Sequence, residues 1–68
     1  MKNIHKALLD IVKANIYPNA VRAAAAEGLG FSGGPEVQQA LIEIAKANIY
    51  PNEVRAAAAK AAGQASID

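Results

Sequence analysis

Ala7-Leu8-Leu9-Asp10-Ile11-Val12-Lys13-Ala14-Asn15-Ile16-Tyr17-Pro18-Asn19-Ala20-Val21-Arg22, followed by the alanines 23–26, returns further along the chain. It comes back as Ala40-Leu41-Ile42-Glu43-Ile44-Ala45-Lys46-Ala47-Asn48-Ile49-Tyr50-Pro51-Asn52-Glu53-Val54-Arg55, followed by the alanines 56–59. From Ala7 to Ala40 the offset is 33 residues. Self-similarity at a period of roughly 20–50 residues marks a repeat architecture, in which each unit buries its apolar face on the next. This points to a module that presents surfaces and away from an enzyme, without naming a partner.

Working outward from the repeat, Ile4, Ala7, Leu8, Ile11 and Val12 follow the i, i+3, i+4, i+7, i+8 spacing of one helix face, predicting a first helix over 3–15. Lys6, Asp10 and Lys13 fall opposite, with Lys6 and Asp10 at i,i+4. Leu9 and Ile16 widen the apolar stripe, which suggests a helix with two neighbours, one in its own hairpin and one in the adjacent repeat. Pro18 disfavours helical geometry at Tyr17 and ends that helix by Ile16. Asn19 is the favoured N-cap of a second helix over 20–29, with Pro18 at the first helical position as the alternative register.

Val21, Ala24, Ala25 and Leu29 are expected to form the inner face of the second helix, and Gly30 to stop it in a left-handed conformation. Phe31-Ser32-Gly33-Gly34-Pro35 then reads as a flexible connection, with Phe31 available to plug the gap between hairpins. A third helix over 35–48 starts at Pro35 with Glu36 at its positive end, and turns Val37, Ala40, Leu41, Ile44 and Ala45 inward. Ile42 and Ile49 recreate the second flank. A fourth helix over 53–62 lies behind Asn52 and is stopped by Gly63, leaving 64–68 as a frayed tail.

The bulk composition narrows the function classes. The chain has 68 residues, enough for one small domain, read as 1–68 with repeat one over 3–34 and repeat two over 35–68. There is no cysteine, so neither a disulfide framework nor a thiolate metal site can form. Net charge is +1 with acidic and basic residues interspersed, whereas a nucleic-acid binder clusters a basic excess on one face. His5, Asp10 and Lys13 interrupt any apolar leader. The longest uninterrupted apolar runs are far short of the roughly 18 residues expected of a membrane span. A cytoplasmic-type compartment is the expectation.

The pattern resembles a HEAT-like repeat, of the short kind labelled after phycobilisome lyases. The resemblance rests on the Ala-Leu-Ile-x-Ile-Ala helix, the turn with Pro and Asn, and Val-Arg-Ala-Ala-Ala-Ala ending near Leu29-Gly30. It covers nearly the whole chain and implies an all-α fold of two tandem αα-hairpins, four short helices in a mini-solenoid or compact four-helix unit. The lyase label is historical and implies no activity here. Three features depart from the family. Asn19 and Asn52 stand where an acidic residue usually precedes Val-Arg. Ala61-Ala62 replace Gly28-Leu29 in the second copy. Two copies without polar capping helices are also fewer than such arrays usually have. The near-verbatim turns suit a designed, consensus or excised fragment, or a recent duplication.

No catalytic constellation is present. His5 is the single histidine and, with no cysteine, cannot make a zinc site alone. Asp10 and Glu43 are equivalent across the repeat but lack a nucleophile or base, and are read as partners of nearby lysines. Gly28, Gly30, Gly33 and Gly34 follow a helix and lead to proline, unlike a phosphate loop. No catalytic, cofactor or metal residues are therefore assigned. The candidate interaction residues are Arg22, Arg55, Tyr17, Tyr50, Leu9 and Ile42. Each arginine is expected to bond turn carbonyls or the neighbouring Asn and knit the repeats together, with a two-arginine ladder for an acidic group as the sharper reading. The tyrosines are expected to pack over the hairpin ends.

These readings converge on a non-enzymatic structural or protein-interaction module. Roughly 1.5 kcal/mol of ordering entropy per residue must be offset by burial, and a two-repeat stack with alanine-rich helices leaves that balance near zero. Burying apolar end faces on an identical chain or another protein adds the missing area, so a homo-oligomer, dimer or higher, is expected, including hairpin exchange through Gly33-Gly34. No membrane or nucleic-acid partner is expected. The alternative is a ligand-recognition module binding an acidic peptide or nucleic acid on the second-helix face; a subunit of a chromophore-attaching enzyme ranks last.

Overall fold

Four helices follow one another along the chain in a computed structural model that describes residues 2–32 and 34–65. They are α1 (Asn3–Lys13), α2 (Asn19–Ser32), α3 (Pro35–Lys46) and α4 (Asn52–Ala65), and there is no strand among the described residues. The fold is all-α, two antiparallel hairpins α1–α2 and α3–α4. The 33-residue offset of the sequence is reproduced at both ends of the second pair, Asn19 matching Asn52 and Ser32 matching Ala65. Gly33 of the expected hinge and residues 66–68 of the expected tail lie outside the described residues.

Each first helix stops for a local reason. Ala14 and Ala47 turn to extended backbone, and their amides donate back to Asp10 and Glu43 carbonyls. Lys13 and Lys46 sit in the last turns, where a cation suits the negative helix end. The following proline then accepts the first helical hydrogen bonds of the next helix. The Val21 and Arg22 amides donate to the Pro18 carbonyl at 3.0 and 3.1 Å, and the Arg55 amide donates to Pro51 at 3.0 Å. Pro18 is thus the cap position and Asn19 the first helical residue, one step earlier than the expected Asn19 cap. Proline suits that place because its missing N–H has no helical acceptor to satisfy there.

The second helices are longer than their glycines suggested. Gly30 does not stop α2, and Gly63 does not stop α4; both are helical. Gly30 is needed for proximity. A Cβ built on it would lie 3.0 Å from Ala61 Cα and 2.9 Å from Gln64 Oε1, so only glycine lets α4 cross α2 this closely. Among the described residues, the glycine with positive φ is instead Gly34, at φ 96°, which caps α3 ahead of Pro35.

Packing is dominated by α2 against α4, followed by each hairpin's own pair. The first helix α1 lies on α2 and meets the second hairpin only marginally, so its expected second neighbour is largely missing. The core follows from this. Leu9 and Val12 of α1 are buried with Ala23, Ala25, Ala26 and Leu29 of α2. Against them pack Val37, Leu41 and Ile44 of α3, and Val54, Ala57, Ala58, Ala61 and Ala62 of α4. The inward face expected for α3 is thus observed, with Ala40 and Ala45 at its half-buried edge.

The inner faces expected for α1 and α2 need correction. Ile4 is 63% and Val21 45% exposed, while Ala7 and Ala24 also face outward. Ile4, Val21 and Ala24 have buried equivalents, Val37, Val54 and Ala57, in the second copy, which packs behind another hairpin. Phe31 plugs no gap and is 86% exposed. Ile16 and Ile49 at the turns are likewise exposed rather than flanking a buried stripe.

Candidate functional site

The two arginines of the repeated Val-Arg string perform the same act in each hairpin. Arg22 Nε donates to the Val12 carbonyl at 2.9 Å, and Arg55 Nε donates to the Ala45 carbonyl at 3.0 Å. Val12 and Ala45 are themselves equivalent positions, in the last turn of α1 and α3, where helical carbonyls begin to run out of amide partners. A charged donor in that place ties the end of each first helix to the start of the second. The acceptors are helix carbonyls, not the neighbouring asparagines.

Beyond this shared bond the two arginines diverge. Arg22 is buried to 4% exposure, and its guanidinium carbon lies 5.7 Å from the centroid of the Tyr50 ring in the other hairpin. A guanidinium within about 6 Å of an aromatic face is held by the ring quadrupole. Arg55 is half-buried, and its counterpart to Tyr50 would have to come from beyond the second hairpin. Tyr17, the equivalent of Tyr50, is 39% exposed. The structure therefore brings together Arg22 and Tyr50, and leaves Tyr17 and Arg55 each in half of such a pair.

Leu9 is buried in the core, and Ile42, its equivalent, is half-buried against the same cluster. Their difference in burial has the same sense as that of the arginines, the residue of the first copy being the more enclosed. Glu43 accepts a hydrogen bond from Gln39 Nε2 at 3.3 Å rather than pairing with a lysine. Between the two turns lies an open depression of about 510 Å³, lined by Lys13, Ala14, Asn15, Arg22, Ile49, Tyr50 and Pro51.

Polar demands inside the fold are met. No buried side-chain nitrogen or oxygen among the described residues lacks a hydrogen-bond partner. Nor do three or more His, Asp or Glu residues gather to hold a metal there. No helix is long and apolar enough to cross a membrane among the described residues.

What stands out is apolar surface at the leading side of the first hairpin, where Ile4 and Val21 are exposed and Leu8 and Ile11 half-buried. Helical periodicity alone placed these four indoors or at its edge. The signal that separates them from their buried equivalents is their position in the first copy rather than the second. Compared with models of known protein families, with curated proteins and with solved structures, the chain matches none.

Proposed function

We propose that this chain is a non-enzymatic structural and protein-interaction module, built of two HEAT-like hairpins, that self-associates or stacks through its apolar end faces. The observation that carries this reading is the exposure of Ile4 and Val21 at positions whose equivalents, Val37 and Val54, are buried by a neighbouring hairpin. Scattered exposed apolar side chains are ordinary on a protein surface; a face that repeats the composition of a buried seam is a surface suited to a partner. The small core adds an energetic motive, since fifteen buried hydrophobic residues among those described, eight of them alanine, offer modest burial for a chain of this length.

Recognition of an acidic peptide or nucleic acid by an arginine ladder has less in its favour. Arg22 is buried with its Nε committed to Val12, and Tyr50 covers its guanidinium.

The test is molecular mass by sedimentation over a dilution series, with urea denaturation at two protein concentrations. Assembly that grows with concentration, and a midpoint that rises with it, are expected when folding and association are linked. A monomer at every concentration, with one fixed midpoint, overturns self-association.

A further inference from the structure

Positions 33 residues apart carry the same kind of side chain yet differ in burial, and the differences fall into two groups. Arg22, Ala23, Ala26 and Gly30 are buried, while Arg55 is half-buried and Ala56, Ala59 and Gly63 are exposed. Conversely Val37, Val54 and Ala57 are buried, while Ile4, Val21 and Ala24 are exposed. The first group is the trailing face of a hairpin and the second its leading face. Inside the chain the trailing face of hairpin one meets the leading face of hairpin two. The leading face of hairpin one and the trailing face of hairpin two are open among the described residues.

We infer that the occupant of each open face is a second copy of this chain, stacked head to tail so that the internal seam is repeated between molecules. This rests on the self-association proposed above and specifies its geometry. Two pairings follow from the register. Tyr17 of one copy seats over Arg55 of the copy before it, as Tyr50 seats over Arg22. At the crossing, Gln64 approaches Gly30 inside the chain, and the residue equivalent to Gln64 is Phe31. Phe31, 86% exposed, therefore lies over Gly63, beside which an added Cβ would meet nothing within 4 Å. An exposed aromatic ring and an open glycine thus become one contact.

Such a contact joins two different faces, so it is heterologous and extends to further copies unless the rotation closes a ring. An isologous dimer would pair leading face with leading face, or trailing with trailing. It would set tyrosine against tyrosine or arginine against arginine, and leave both halves of the Arg–Tyr contact unmade.

Two single substitutions separate these arrangements. Gly63→Leu fills the trailing face and Ala24→Arg charges the leading face; both sites are exposed within the chain. Helical circular dichroism and cooperative unfolding establish that each variant folds, and Val21→Arg replaces Ala24→Arg if it does not. By sedimentation, the unaltered chain assembles, and each variant alone needs a concentration about tenfold higher or more to do so. Mixed one to one, the variants form a dimer and go no further, because the intact leading face of one meets the intact trailing face of the other. If one variant self-associates like the unaltered chain while the other does not, the head-to-tail geometry is wrong but self-association stands. If the unaltered chain is a monomer throughout, both fall.

Discussion

The guanidinium carbon of Arg22 lies 5.7 Å from the centroid of the Tyr50 ring, and this contact joins the two hairpins. The same arginine donates Nε to Val12 of its own hairpin at 2.9 Å. One side chain thereby fixes the angle within a repeat and the registration between repeats. Arg55 performs the first task only.

Arg22→Ala is expected to destabilise the fold by about 2–3 kcal/mol, because it removes a buried charged donor and leaves a carbonyl without its partner. Arg55→Ala, at a half-buried site, is expected to cost about half as much. Arg22→Lys does not restore stability, since an ammonium lacks the planar Nε donor that reaches Val12 while the rest of the group faces a ring. Urea midpoints of the three variants decide this; equal losses at both arginines would contradict it.

A double-mutant cycle on Arg22→Ala and Tyr50→Ala is expected to give a coupling of about 0.5–2 kcal/mol. The cycle on Arg55→Ala and Tyr17→Ala, run in dilute solution where chains are single, is expected to give none. Additive behaviour of the first pair would show that the ring merely fills space.

Gly30→Ala and Gly63→Ala change the same element position with opposite signs. At Gly30 the new methyl meets the Ala61 backbone, and the strain, about 1–3 kcal/mol, exceeds the gain in helix propensity. At Gly63 the methyl enters open space, so the propensity gain of roughly 0.8–1 kcal/mol is expected to appear as added stability. Thermal midpoints of dilute samples read both signs.

Leu41→Ala should cost about 2–5 kcal/mol, enough to unfold a small domain, because Leu41 is fully buried. Leu8→Ala, the same substitution at the half-buried equivalent, is expected to be markedly milder. Chemical denaturation of both tests whether the second copy shields what the first leaves open.

Helix number, helix order and the inward face of α3 could be read from periodicity, the two Pro–Asn turns and the 33-residue offset. The faces of α1 and α2 could not, because helical spacing describes an apolar stripe and not the neighbour that covers it. Ile4 and Val37 look alike in sequence, and only the preceding hairpin distinguishes them. Gly30 was misleading for a related reason: a glycine near a helix end suits a left-handed stop or a close crossing, and the second requires knowing where α4 lies. The arginines were legible as links between elements, but their acceptors, the Val12 and Ala45 carbonyls, are ten residues back in the sequence and hidden from local patterns.

Because α1 rests on α2 and barely reaches the second hairpin, stability is graded along the molecule. Helix α1 can peel away while the α2–α4 crossing stays shut, so its amide hydrogens should exchange with solvent sooner than those near Leu29 and Ala61. Whatever covers the leading side of the first hairpin would therefore act as a clamp, slowing the loosening of the least anchored helix.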